Sequence, residues 1–188
     1  MGSKSMRLVF VGLALVLLLS ALPATETAGQ PIEPTPSPAP SQSVPAITIS
    51  GPRDGEVVHA LNAVLSWKAV SVPQTNFVHV NIWNSLTDSN GLGLGDWYYR
   101  QEDIDFCRGV NRDMLEMMRS MTVAQPDEKR FYQIRVMEAV QFGNVNELAR
   151  GISMAVPLAP GENRIAVEIR NDQGSVILSK TITVTCRP

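Results

Sequence analysis

Trp97-Tyr98-Tyr99 stands near Trp83 and Phe106 in a chain whose aromatic content is only 6%. Read as a strand, the triplet turns Trp97 and Tyr99 to one face and Tyr98 to the other. A flat aromatic face stacks on a sugar ring, and Asp96, Arg100, Gln101 and Glu102 offer partners for hydroxyls beside it. Trp97, Tyr99, Trp83, Asp96 and Arg100 therefore form a candidate ligand surface. A bland alternative stands next to it: the same rings packed against a neighbouring helix bury a large apolar area.

Met114, Met117, Met118 and Met121 fall at i, i+3, i+4 and i+7, a single stripe on a helix that the pattern places over 110–123. Asn111 suits its N-cap and Asp113 its first turn. Such a stripe packs into a core, presents a soft and adaptable face to a protein partner, or offers thioethers to Cu(I). Spacing alone favours packing, with the partner face second and copper last. His59 and His79 are isolated and read as ordinary strand residues.

Cys107 and Cys186 are the only cysteines. Their even number in an exported chain predicts one structural disulfide tying the middle of the domain to its last strand, with two free thiols as the rival. Without a nearby histidine the pair makes no zinc site. Asp88-Ser-Asn-Gly-Leu-Gly-Leu-Gly-Asp96 invites a calcium-loop reading, but Leu92 and Tyr99 stand where oxygen ligands are required. Gly91-Leu-Gly-Leu-Gly lacks the Lys-Ser/Thr of a phosphate loop, and reads instead as a flexible hairpin tip. Glu102, Asp103 and Asp105 read as a solvated face, with Asp103 and Asp105 on one side of a strand. With no Ser/His/Asp arrangement and no acid–base pair, the expectation is a non-enzyme without metal or cofactor.

The elements that must position these residues are mostly strands. Ile47-Thr-Ile-Ser alternates before the Gly51-Pro-Arg-Asp-Gly55 turn, and Ala63-Val-Leu-Ser-Trp67 gives another strand. In 77–83, Val78, Val80 and Ile82 share the natural core face, while Phe77, His79, Asn81 and Trp83 share the other. Towards the end, Ile152, Met154, Val156 and Leu158 have period two, as do Ile165, Val167 and Ile169. Asn171-Asp-Gln-Gly174 is a hairpin signal before Val176, Leu178, Ile182 and Val184. This spacing predicts a mainly β fold of sandwich type.

Three segments carry a resemblance: Ile49-Ser-Gly-Pro-Arg-Asp-Gly-Glu-Val-Val, Leu65-Ser-Trp, and Val156-Pro-Leu-Ala-Pro-Gly-Glu-Asn-Arg-Ile-Ala-Val with Asn171-Asp-Gln-Gly. They resemble a bacterial immunoglobulin-like (Ig-like, fibronectin III-like) domain of exported proteins, in which a Pro-x-x-Gly turn and a Leu-x-x-Gly-x-Asn-x-Ile-x-Val segment recur. The resemblance implies an immunoglobulin-like β-sandwich over 47–188, with a partly helical insertion at about 84–144. It carries over no catalytic residue, since such sandwiches serve as stalks, adhesins and accessory modules.

The amino terminus reads as an address. Lys4 and Arg7 precede an apolar run over 8–19, and small residues lead to Ala24. That pattern is a secretory signal peptide over 1–24, with retention as a membrane anchor as the alternative. Residues 25–46 form a Pro-rich linker with polyproline character. Beyond Ala24 the chain carries 14 basic and 18 acidic side chains, a balance that argues against nucleic acid as a partner. No later segment is long enough for a membrane span. The expected location is secreted, periplasmic or cell-surface. The expected function is a non-catalytic binding or accessory module for glycan or cell-envelope polymer. The alternative is an interaction or structural component of a surface complex, docked through Met114, Met117, Met118 and Met121. Exposed, stacked aromatics favour the first; exposed methionines over buried aromatics favour the second.

Overall fold

A computed structural model describes residues 43–188; the expected signal peptide and most of the Pro-rich linker lie outside them. The fold is mainly β. A three-stranded sheet has the order β1-β3-β7, from β1 (Ala46–Gly51), β3 (Asn62–Val70) and β7 (Ile152–Pro157). A six-stranded sheet has the order β2-β9-β8-β4-β5-β6. Its members are β2 (Glu56–Val58), β4 (Phe77–Trp83), β5 (Leu92–Tyr98), β6 (Gln141–Asn144), β8 (Gly161–Arg170) and β9 (Val176–Cys186). Both sheets are open, and both feed one core. Leu65 and Trp67 come from the first, and Val78, Val80, Ile82, Ile165, Val167 and Ile169 from the second. The inward parity read from β4 and β8 is the parity observed. On β9 the alternation fails at its start, where Val176 is half exposed.

The Pro-x-x-Gly turn has a definite job. Asp54 accepts a hydrogen bond from the Thr183 amide at 2.7 Å, and the Gly55 amide donates to the Thr183 carbonyl at 2.8 Å. Those bonds clip the turn to β9, so β2 continues as its parallel edge neighbour.

Between β5 and β6 the chain forms α1 (Gln101–Ala124) and α2 (Glu128–Ala139). Because β6 pairs parallel with β5, the connection has to cross over, and the helix pair is that crossover. The helix starts nine residues before the expected position at 110. Glu102 and Asp103 occupy its first turn, where carboxylates suit the helix dipole. Asp103 and Asp105 are therefore helical residues, not a strand pair. Asn111 is no N-cap; its amide donates to the Met137 carbonyl at 3.2 Å, satisfying one of the last carbonyls of α2. Pro126 follows the end of α1, and Asp127 caps α2 by accepting from the Arg130 amide at 2.8 Å.

The glycine run is strand, not a flexible tip. Gly93 and Gly95 lie within β5, and Gly91 takes φ +73° in the turn before it. A Cβ on Gly95 would stand 2.7 Å from the Trp97 ring, and one on Gly143 of β6 would meet the same indole at 2.7 Å. The two glycines clear the space for a large buried ring.

α2 is tied to both sheets by a buried polar network. The Tyr132 hydroxyl donates to the Pro157 carbonyl of β7 at 3.0 Å and accepts from the Asn84 amide at 2.7 Å. The same amide reaches Asn163 Oδ1 at 3.0 Å. Asn163 is fully buried, accepts from the Ala159 amide, and donates to the Ala159 and Gly161 carbonyls. Burial pushes the Tyr132 phenol up to about 12, against smaller opposing effects of Asn84 and Arg135. The folded state thus holds this proton more tightly than the unfolded chain, whose phenols ionise near pH ~10. The associated stability is complete below about pH 10 and lost as pH rises towards about 12. Urea unfolding at pH 8 and at about pH 11 should show a smaller alkaline loss for Tyr132→Phe than for the parent; equal losses would refute the assignment.

Trp97 is 2% exposed and meets Trp67 edge to face, with ring centroids 4.8 Å apart. Its removal leaves a large cavity, so Trp97→Ala should cost about 3–5 kcal/mol in urea denaturation. A loss below ~1 kcal/mol would contradict this buried position.

Candidate functional site

Helix α1 has two apolar faces, and among the described residues only one is covered. Ile104 and Thr122 are buried against the domain, while Cys107, Leu115 and Met118 are partly covered. The adjoining face carries Phe106, Val110, Met114, Met117 and Met121, spaced at i, i+4, i+8, i+11 and i+15. Their exposures are 71, 42, 46, 53 and 47%, so a stripe of about 22 Å lies open to solvent.

Where the two faces meet, α1 stands off the sheet and leaves a groove of about 430 Å³. Met114 and Met118 of α1, Val136 and Met137 of α2, and Phe142 of β6 line it, over a floor that includes Gly93 of β5. A Cβ on Gly93 would stand 3.1 Å from the His79 ring, so the glycine lets the floor lie close over that imidazole. His79 Nδ1 is 2.7 Å from Asp96, which borders the groove. His79 is thus partnered rather than isolated. The register also sets Glu168 of β8 on its other side, where Glu168 holds Arg170.

Cys107 lines the groove and donates its S–H to the Tyr98 hydroxyl at 3.7 Å. Burial pushes the Cys107 thiol up, with Asp96 and Asp103 adding to the rise against the Tyr98 contact. It stays protonated at neutral pH and is a poor nucleophile. Burial also pushes the Tyr98 phenol up, helped by Asp96 and Cys107.

The expected disulfide is not formed: Cys107 and Cys186 are both free thiols. Cys186 ends β9 opposite Gly161, whereas Cys107 touches Tyr98 of β5. In the sheet β8 and β4 lie between β9 and β5, a lateral gap of about 14 Å. A bridge needs Cα atoms within about 7 Å. Cys186 is instead buried, with its Sγ 3.2 Å from the Ala60 carbonyl.

The aromatic ligand surface read from sequence is dispersed. Trp97 is core. Tyr99 is half-buried, with its hydroxyl donating to the Val72 carbonyl. Trp83 donates its indole N–H to the Ser89 carbonyl at 3.2 Å, and Arg164 covers its ring at 4.3 Å. Asp96 is engaged by His79, and Arg100 makes a forked pair with Asp103. The methionines, by contrast, do share one side of α1, with Met118 turned towards the groove, Met114 at its edge, and Met117 and Met121 outward. Sequence reading missed Val110, Met137 and Phe142. Continuing the stripe backwards in steps of four from Met114 finds Val110 and Phe106; Met137 and Phe142 leave no such signal.

No family model matches the chain, and no curated protein does. A solved crystal structure of an engineered protein is similar to it at 10% identity, over 79% of this chain and 21% of that one, with a TM-score of 0.35. The chain thus spans about a fifth of that structure's length.

The thiol positions are directly checkable. Under non-reducing conditions a small alkylating reagent should add twice to the denatured protein, and to the native protein only slowly and only at half-buried Cys107. A denatured protein that takes no label would mean the cysteines are bridged.

Proposed function

We propose that this is an exported, non-catalytic interaction module that docks a protein partner through the outward face of α1. The observation that carries the reading is the open apolar stripe from Phe106 to Met121 beside the groove, set against a buried Trp97. Contiguous apolar surface of this kind, rimmed by polar residues, is the signature of an interaction site. Methionine suits it, because its unbranched thioether adapts to varied partner surfaces.

Charge narrows the partner. The arginines of α1 are engaged within the chain: Arg108 with the Phe142 carbonyl, Arg112 with Asp113, and Arg119 with Glu138. Asp103 and Asp105 are paired in turn, with Arg100 and Arg108, which leaves Glu102 and Glu116 of α1 without an ion pair among the described residues, so the surroundings of the stripe are acidic on balance. The complementary partner is an amphipathic helix with basic residues flanking its apolar side. In this reading the two sheets form an immunoglobulin-like β-sandwich, the amino terminus directs export, and the Pro-rich linker holds the domain away from its point of emergence.

Replacing Met114 and Met121 together by Asp should leave a cooperatively folded domain, destabilised by no more than about 1–2 kcal/mol, the helix-propensity and partial-burial cost at two half-exposed positions. The same change should abolish a protein adduct formed by a photocrosslinking residue at position 117 in the producing cells. No adduct, or an adduct that survives the double substitution, would sink the reading.

A further inference from the structure

A second cavity, of about 630 Å³, lies beside the start of α1 and the β8–β9 turn. We propose that it binds a neutral saccharide chain, independently of the α1 stripe. One wall is aromatic: Phe77 of β4 and Tyr98 of β5 stack with ring centroids 5.0 Å apart and an interplanar angle of 20°. Both belong to the outer face of the six-stranded sheet, across from the core parity of Val78 and Trp97. The rim is polar, with Arg100, Asp103, Asp172 and Gln173. The volume is that of an ordinary small-ligand cleft.

The chemistry matches a pyranose better than an apolar ligand or an anion. A sugar ring has one face of C–H groups, which pack on the negative faces of aromatic rings, and hydroxyls round its edge. Here the aromatic wall faces carboxylate, amide and guanidinium groups that accept and donate in the same small space. Both Asp103 oxygens hold the Arg100 guanidinium, at 2.8 and 2.7 Å, so its charge is balanced. Asp172 then leaves the rim negative, which repels phosphorylated or carboxylated chains.

The rim is also built in advance. Asn171 Oδ1 accepts from the Gln173 amide at 3.1 Å and the Ser175 amide at 2.8 Å. These bonds close the turn without using the side chains of Asp172 and Gln173, both of which are exposed. The fork on Asp103 orients the Arg100 guanidinium along the rim, although that side chain is mostly exposed. Tyr98 keeps its hydroxyl on Cys107 and contributes only its ring.

The test is affinity electrophoresis of the full chain through native gels containing glycol chitin, hydroxyethyl cellulose or carboxymethyl cellulose. Retardation by at least one of the two neutral polymers, and none by carboxymethyl cellulose, is expected. Phe77→Leu and the double variant Asp172→Ala with Gln173→Ala should each weaken retardation about tenfold. The double variant lies on an exposed turn and should melt at the parent's temperature, so it reads the site even if Phe77→Leu disturbs folding. Unretarded migration through both neutral polymers overturns the proposal. So does retardation by the anionic polymer alone, or retardation that survives the double variant.

Discussion

The placement of α2 rests on the buried contacts of Tyr132. Its hydroxyl stands between Pro157 of the small sheet and Asn84 beyond the end of β4, and Asn84 in turn reaches Asn163 of β8. Tyr132 and Asn163 are taken out of water and Asn84 is half-buried between them, so the two buried groups are costly unless their partners are in place. The network therefore fixes α2 against both sheets at once. α1 has no comparable anchor. It leans on α2 through Asn111 and Arg119 and on β5 and β6, and takes its position from the helix that is fixed.

That hierarchy explains why one long helix can be half core and half surface. Its inward side completes the packing over β5 and β6, while its outward side has the same apolar composition without a neighbour among the described residues. An ordinary surface helix puts charge on the face turned from the core. Here the charges of α1 lie away from the stripe, and its arginines are drawn into contacts with the chain's own backbone and carboxylates. Apolar residues kept on a solvated face are a cost to solubility that packing within this domain does not explain.

The strand pattern was legible wherever one face meets the core and the other meets water. Val78, Val80 and Ile82, or Ile165, Val167 and Ile169, alternate because the sheet's two sides differ. The middle was harder because two signals overlapped. The Gly-Leu-Gly-Leu-Gly run looks like a loop until Trp97 is placed, for only then do Gly95 and Gly143 have a ring to accommodate. The acids that open α1 obscured its start, since Glu102, Asp103 and Asp105 carry no apolar periodicity. The second helix went unread, although Pro126-Asp127-Glu128 carries a boundary signal, a proline that stops one helix and an aspartate that caps the next. Cysteine count predicted a bridge that strand order forbids, because pairing depends on which strands lie between two residues and not on how many thiols there are. The aromatic cluster misled for a related reason: neighbours along the chain, Trp97, Tyr98 and Tyr99 go to the core, the outer face and the loop at Val72.

The parallel pairing of β5 and β6 limits how this molecule can change. A tight turn joins only antiparallel strands, so the helices cannot be trimmed to a short loop while β6 keeps its direction. Shortening would reverse or release that strand and take Gly143 from beneath the Trp97 indole. The helical segment is thus kept whole or removed together with the edge of the sheet. Its inward residues are held by the core and its ends by the strands they join. What the frame leaves unconstrained is the sequence of the outward half of α1, which can change without altering the strands that carry it.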